Sequence, residues 1–243
     1  MNAPVLEALG VNKILGSGPS QVHALRDVSL TLHGGELTML MGPSGSGKTT
    51  LLSVLGCMLA PTEGSVRVGG VSTEGATPEK LAALRRQHIG YIFQSYHLFP
   101  TLTAVENVQL ALDVRGDRGE QARRRAEDAL TRVGLPHKFR SYPREMSGGE
   151  QQRVAIARAI VSDPSCVLAD EPTAALDGKN GQAIMSILAD IAKDPGRGVL
   201  VVTHDARLTA FADRTIHIED GRLVGEQRSD GETESVPLAV DGG

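Results

Sequence analysis

The stretch "GPSGSGKTT" (Gly42–Thr50) carries the most specific pattern in this chain. Up to Thr49 it fits G-x-x-x-x-G-K-[ST], the pattern of a loop that holds phosphates. It follows the apolar run "LTMLM" (Leu37–Met41), which predicts a buried strand, and it opens a helix predicted to run from Lys48 to before Pro61. A glycine-rich turn that only closes a strand–helix unit is the alternative interpretation.

This loop is predicted to bind the phosphates of a nucleotide. Glycines let the backbone curl round the phosphates, Lys48 supplies a mobile cation for the β and γ phosphates, and the Thr49 hydroxyl can bind Mg²⁺. The predicted contact residues are Gly42, Pro43, Ser44, Gly45, Ser46, Gly47, Lys48, Thr49 and Thr50.

The segment "CVLADEP" (Cys166–Pro172) supplies the carboxylates that phosphoryl transfer requires. Asp170 follows an apolar strand and is suited to the metal through a bound water. Glu171 lies one residue further into the crevice at the strand ends, where a carboxylate can take a proton from water or orient it. Two solvated acids at the end of a strand are the alternative.

Two further predicted strands end in polar residues. Gln94 follows "IGYIF" (Ile89–Phe93), and His204 follows "VLVV" (Val199–Val202) after one threonine. Either residue alone is typical of an ordinary loop. In a sheet that also holds a phosphate loop, these strand ends predict a convergent crevice.

The stretch "SGGEQQRVAIARAI" (Ser147–Ile160) predicts a second anion site. A serine and two glycines lead into an amphipathic helix, whose free N–H groups favour negative charge. The loop at 42–50, the first cradle, already surrounds the phosphates. The second cradle, formed by Ser147, Gly148 and Gly149, is therefore expected to face away from its own nucleotide. Such a site can bind a phosphate when a second copy of the chain places its nucleotide against it. We therefore predict a twofold pair that buries two nucleotides.

The rest of the chain reads as an α/β protein with an inserted helical lobe. Strand-like runs such as "VSLTL" (Val28–Leu32) alternate with helical ones, and Asp220-Gly221 predicts a hairpin. Between about 95 and 160 the apolar spacing becomes helical, and the "RRR" at 123–125 is expected to form a solvated helix face. Residues 1–225 are assigned to this domain, and the acidic residues 226–243 are predicted to be disordered.

Composition excludes several classes of partner. The net charge is −4 with both signs scattered, so no field steers the whole molecule toward nucleic acid. Aromatic residues make up 3%, too few for a platform that stacks single strands. Cys57 and Cys166 match no metal spacing and are expected to be small buried hydrophobes in a reducing compartment. No secretory signal or apolar run of about 20 residues is present, which predicts a cytoplasmic location.

The motifs, in this order, resemble those of an ATP-binding cassette (ABC) ATPase, over about residues 5–225. The loop at 42–49 resembles the Walker A motif, Gln94 the Q-loop glutamine, and "MSGGE" at 146–150 the signature. "CVLADE" resembles Walker B, "AALD" at 174–177 the D-loop, and His204 the switch histidine. The resemblance implies a P-loop NTPase core with an antiparallel β subdomain and an inserted helical lobe.

The resemblance also implies ATP as substrate, Mg²⁺ as cofactor and a homodimer that closes on ATP. Lys48, Glu171 and His204 would be catalytic, with Glu171 as the base and His204 on the γ-phosphate and the attacking water. The metal ion would be held by Thr49, Gln94 and Asp170.

Three further roles follow from the same likeness. Ser147 and Gly149 would contact the γ-phosphate bound by the other subunit. Gln94 would also link to a membrane transporter, and Asp177 would help to join the two subunits.

The sequence departs from the family pattern at two places. Met146 and Glu150 replace the ends of the common signature "LSGGQ", and Glu150 adds an acid to the first turn of a helix. The family stacks adenine on an aromatic residue, where this chain has Leu15. His23 or plain apolar contact is the expected substitute.

Within the family, the chain looks most like ATPases of lipoprotein-releasing, macrolide-exporting and glycolipid-exporting systems. The likeness predicts a separately encoded membrane permease that docks near Tyr96–Val105 and holds the chain at the inner face of the membrane. A cell-division-type ATPase that signals through a membrane partner without moving cargo is the alternative. A soluble cassette linked to nucleic acid is disfavoured because coiled coils, zinc motifs and a tandem cassette are lacking.

Overall fold

The computed structural model describes residues 3–229, 233 and 234, which form two β-sheets with α-helices packed on them. The strands are β1 Pro4–Leu15, β2 Val22–His33, β3 Leu37–Met41, β4 Glu63–Val68, β5 Val71–Ser72, β6 Ile89–Ile92, β7 Cys166–Asp170, β8 Gly198–Thr203, β9 Arg214–Glu219, β10 Arg222–Arg228 and β11 Thr233–Glu234. The helices are α1 Lys48–Leu55, α2 Pro78–His88, α3 Ala104–Asp113, α4 Gly119–Arg132, α5 Gly148–Ile160 and α6 Gly178–Ala192.

The larger sheet determines where the polar strand ends lie. Its order is β11-β10-β9-β3-β8-β7-β6, and the run from β9 to β6 is parallel. Every residue of β3 and β8 is buried, as expected for parallel strands covered on both faces. Because parallel strands end at the same edge, the loops after β3, β6, β7 and β8 meet there.

The smaller sheet is antiparallel, with the order β2-β1-β4-β5. Its inner face shares one apolar core with Leu51, Leu52 and Leu55 of α1 and with one face of the larger sheet. The helix that follows the phosphate loop is therefore held between the two sheets. In β1 and β2 the sequence predicted only one short strand, at 28–32. The register shifts between β1 and β2 interrupt the two-residue alternation and hide the full length of both strands.

Helices α3, α4 and α5 form the predicted lobe and pack on the other face of the larger sheet. Three alanines and Leu130 of α4 are buried in the same core as residues of β3 and β7. Arg123 and Arg124 lie on the outer side of α4, where they pair with Glu127 and Glu120. The α/β fold with an inserted lobe and the solvated face of α4 are both confirmed.

Helix α2 was not predicted from the sequence. Leu84 is its only fully buried residue, so the apolar periodicity is weak. Its start is marked locally, because Thr77 accepts a hydrogen bond from the Lys80 N–H and Pro78 occupies the first turn.

The predicted hairpin at Asp220-Gly221 is confirmed, with φ of 45° and 79° at the two residues. The strand that leaves it continues to Arg228 and pairs with Thr233–Glu234. The ordered sheet therefore extends past the boundary predicted at 225, because Glu226 pairs with the buried Arg214 at 3.2 Å. Residues 230–232 and 235–243 of the predicted tail lie outside the described residues.

Two smaller expectations concern the cysteines and the membrane. Cys57 and Cys166 are buried free thiols, and burial raises the pKa of Cys57 to about 11. Across the described ranges, each helix is too short or too polar to cross a bilayer.

Candidate nucleotide site

The phosphate loop runs from the end of β3 to the start of α1, and its shape requires glycine at two positions. Gly47 has φ of 101°, and a Cβ there would lie 2.6 Å from the Ala24 carbonyl oxygen. A Cβ on Gly42 would lie 2.1 Å from the Ile218 carbonyl oxygen. Gly47 is also the N-cap of α1 and has no side chain to satisfy the first N–H groups, which leaves them for an anion.

Two side chains of this loop fit a phosphate ligand. Lys48 Nζ is buried and donates to the carbonyl oxygens of Gly42 and Pro43 at 2.8 and 2.7 Å, which holds the cation at the centre of the loop. The Ser46 hydroxyl is buried and has no hydrogen-bond partner among the described residues. A phosphate oxygen would satisfy such a donor.

The metal side of the site consists of a hydroxyl and a carboxylate. Thr49 Oγ1 lies 3.5 Å from Asp170 Oδ1 at the end of β7. Burial, followed by the neighbouring charge of Glu171, raises the pKa of Asp170, and a cation would favour its charged form. No cluster of three acidic, histidine or cysteine ligands occurs in the described part of the chain. The oxygens of Thr49 and Asp170 suit Mg²⁺, which is bound through one or two carboxylates, substrate phosphates and several waters.

Glu171 and His204 come together because β7 and β8 are neighbours. His204 Nδ1 lies 2.8 Å from Glu171 Oε1. Glu171 has φ of 46°, and its N–H donates to the Val202 carbonyl at 2.9 Å. The two adjacent acids therefore have different partners, because Glu171 contacts His204 and Asp170 lies near Thr49.

One cavity of about 1140 Å³ unites these elements. Residues of the phosphate loop, Gln94, Glu171 and His204 line it on one side. On the other side lie Leu15 and Val22, which pair across β1 and β2. His23, expected above as a substitute for the aromatic residue, also lines the cavity. Further lining residues that the sequence did not indicate as site residues are Ala24, Arg26, Asp220, Gly221 and Arg222. Their approach depends on packing between distant segments, which leaves no local signal.

The second cradle is a capped helix start. Ser147 accepts a hydrogen bond from the Glu150 N–H at 3.3 Å, and Glu150 accepts one from the Ser147 N–H at 2.8 Å. Glu150 also pairs with Lys138 at 3.1 Å, so its charge is compensated within the chain. The hydrogen bond from the Ser147 backbone is the main reason why the pKa of Glu150 is lowered.

The two cradles do not share a cavity. The described residues that line the 1140 Å³ cavity do not include Ser147, Gly148 or Gly149. Asp177 is the N-cap of α6 and lines a separate cavity of about 200 Å³ that adjoins Glu171 and His204. The structure thus brings together the predicted residues of the first cradle and the strand ends, and leaves the signature residues outside.

Three features together define a P-loop ATPase of the cassette type. They are a phosphate loop after β3, acidic and polar ends on β7 and β8, and a capped anion site on the inserted lobe. Comparison with known proteins agrees. The sequence model described as "ABC transporter" matches residues 25–174, and the chain belongs to that family.

The relatives and solved structures lie within the same family. The chain is 43% identical over 240 residues to a macrolide export ATP-binding/permease protein MacB of Nitrobacter winogradskyi, covering 99% of this chain and 37% of that protein. The sequence identity to the MacB of Rhodopseudomonas palustris is 44% over 227 residues, which cover 93% of this chain and 35% of that protein. The chain thus spans about a third of the length of these relatives.

A solved structure of similar length also matches. It is a dimeric ATP-binding cassette in a post-hydrolysis state, bound to ADP and Pi. Its identity is 39% and its TM-score 0.84, with 93% of this chain and 100% of that chain covered. The chain described here is an ABC ATPase.

Proposed function

We propose that this chain is the ATP-hydrolysing engine of a membrane exporter, and that it works as a head-to-tail homodimer. The observation that carries the proposal is the separation of the two cradles: only the first lines the nucleotide cavity. The second cradle has free N–H groups at the start of α5, and these can bind a phosphate when another copy of the chain places its nucleotide against them. The dimeric cassette bound to ADP and Pi supports this arrangement.

The first cradle would hold the β and γ phosphates through Lys48 and the backbone N–H groups of residues 42–50. Glu171 would take a proton from the attacking water. His204, which contacts Glu171, would hold that water and the γ-phosphate in place. Thr49, Asp170 and Gln94 would hold Mg²⁺, which neutralises charge on the phosphates. Because phosphoryl transfer needs little covalent help, positioning and electrostatic stabilisation carry most of the catalysis.

Closing of the dimer on ATP and opening after hydrolysis would move the helical lobes and drive a membrane permease. The names of the MacB relatives combine macrolide export, ATP binding and a permease, which favours export over signalling. The exposed part of Tyr96–Val105, which includes the 54% exposed Phe99, would contact the permease. This contact would place the ATPase at the inner face of the membrane.

The experiment is a dilution series. ATPase rate per molecule should fall as the protein is diluted below its self-association range, and light scattering should detect a nucleotide-dependent dimer at the higher concentrations. A rate per molecule that stays constant over the whole series, with no dimer, would contradict the proposal.

A further inference from the structure

The second cradle has an acid in its first turn. Glu150 is the third residue of α5, at the position where the common signature of the family has glutamine. Its pKa is lowered, so the side chain is charged at neutral pH. Glu150 Oε2 accepts a hydrogen bond from the Ser147 N–H at 2.8 Å, which places the charge against the first residue of the cradle. A phosphate that approaches the same helix start would be repelled, because the two charges have the same sign.

Lys138 compensates this charge. Its Nζ lies 3.1 Å from Glu150 Oε1, so each carboxylate oxygen has its own partner. The two side chains are 23% and 19% exposed, whereas the side chains of the two ion pairs along α4 are 29% to 75% exposed. Water therefore screens the pair of Lys138 and Glu150 less than it screens the pairs on α4. Among the residues that the structure describes, Lys138 is the one cation that pairs with Glu150.

Lys138 is anchored on segments other than α5. Its carbonyl accepts a hydrogen bond from the Ser141 N–H at 2.9 Å. The next residue, Phe139, packs on the core of the lobe, and its carbonyl accepts a hydrogen bond from the Val105 N–H at 3.1 Å, in the first turn of α3. The ammonium group therefore holds the Glu150 carboxylate from outside the helix to which that acid belongs.

The capping contacts leave a defined set of donors for a phosphate. The Ser147 N–H binds the Glu150 carboxylate, and the Glu150 N–H binds the Ser147 hydroxyl oxygen. The N–H of Gln151 donates to the Ser147 carbonyl. The N–H groups of Gly148 and Gly149 and the proton of the Ser147 hydroxyl therefore remain for an anion. These donors belong to the same turn as Glu150, so its charge must be balanced when a phosphate binds to them.

We propose that Lys138 is a positioning residue of the second cradle. By pairing with Glu150, it balances and holds the acid of the first turn, so that the neighbouring N–H groups can bind the γ-phosphate of the nucleotide held by the dimer partner. The inference rests on the proposed dimer, in which each cradle binds the nucleotide of the other copy.

The first test removes the cation with and without the acid. Lys138→Met should lower kcat about tenfold, because an unbalanced carboxylate repels the incoming phosphate. In a Glu150→Gln background the same replacement should change kcat less than about twofold, because no charge is left to balance. Lys138→Arg should keep most of the activity, since arginine retains the positive charge. Equal losses from Lys138→Met in both backgrounds, or no loss in either, would overturn the proposal.

The second test locates the effect at the pairing of two chains. In a Glu171→Gln background, Lys138→Met should raise the protein concentration needed for ATP-dependent pairing at least about tenfold, as measured by light scattering. ATP affinity of the first cradle, measured by calorimetry on dilute protein, should change less than about twofold, since that site is complete within one chain. Lys193→Met removes an exposed cation that pairs with Asp190 near the end of α6, and this matched control should change neither quantity. A loss of ATP affinity as large as the loss of pairing would contradict a role in the second cradle.

The dilution series separates this inference from the proposed function, because it uses only the parent protein. A parent rate per molecule that does not depend on concentration would overturn the dimer and, with it, the role of Lys138. A parent rate that depends on concentration, together with equal losses in the two backgrounds, would retain the dimer and overturn the role of Lys138 alone.

Discussion

At the scale of single residues, two neighbouring acids have different environments although they follow each other in sequence. Asp170 ends β7 beside Thr49, where burial raises its pKa. Glu171 turns into a left-handed conformation and meets His204 at 2.8 Å. One carboxylate is therefore suited to a cation, and the other to a water molecule that must lose a proton.

Replacement of Glu171→Gln should keep ATP binding and lower turnover at least about a hundredfold, the contribution typical of a general base. With ATP bound and not hydrolysed, the dimer should accumulate, which gel filtration with ATP would detect. Glu127→Gln on the outer face of α4 is the matched control and should hydrolyse ATP at the parent rate. Parent-like hydrolysis by Glu171→Gln would exclude it as the base.

At the scale of elements, helix α5 has two roles: its start forms the second cradle, and its later turns belong to the buried core. Its first turn is the second cradle, and the capping box of Ser147 and Glu150 satisfies two of its backbone groups. Its later turns are buried between the lobe and the sheet, with Val154, Ala155 and Ile156 fully covered. A helix anchored in this way can present N–H groups at a fixed position to a phosphate from another molecule.

The caps of α5 and α2 allow a matched comparison. Ser147→Ala and Thr77→Ala each remove a side chain that accepts a hydrogen bond at a helix start, and each should lower the free energy of unfolding by about 1 kcal/mol. Only Ser147→Ala should also lower ATP turnover, because of these two helices only α5 offers its first turn to ATP in the proposed dimer. Urea denaturation and an ATPase assay measure the two effects. Equal loss of turnover in both variants would show that Ser147 acts through stability alone.

At the scale of the whole molecule, the predicted site residues lie on separate surfaces of one chain. The large cavity contains the phosphate loop, Gln94, Glu171 and His204, and lacks the described signature residues. Asp177 borders the smaller cavity beside Glu171 and His204. In the proposed dimer these surfaces face each other, and each chain contributes to both nucleotide sites.

Mixing two inactive variants tests this division directly. Lys48→Ala damages the first cradle and Ser147→Arg blocks the second, so each homodimer should be inactive. A mixed dimer keeps one intact site, formed by Lys48 of one chain and Ser147 of the other. An equal mixture should therefore recover up to about a quarter of the parent activity, since half of the dimers are mixed and each has one working site. No recovery in a mixture shown to exchange subunits would contradict the head-to-tail arrangement.

Much of the architecture and of the candidate site could be predicted from the sequence, because the relevant signals are local. The loop at 42–50, the polar ends of buried strands and the helical spacing of the lobe are each read within one short segment. Strands β1 and β2 were underestimated because bulges interrupt their alternation, and α2 was missed because it buries little apolar surface. The strand past residue 225 depends on the pairing of Glu226 with Arg214, a contact between neighbouring strands.

By itself, the amino-acid sequence determined the chemistry: the phosphate loop, the acids after β7 and the glycine-rich start of α5 each consist of contiguous residues. The tertiary structure alone decided which groups meet. It placed Ala24 against Gly47, Arg158 on the carbonyls of Tyr96 and His97, and the second cradle outside the nucleotide cavity. These contacts join segments far apart in the chain, and their geometry follows from strand order and core packing, which local residue patterns do not encode.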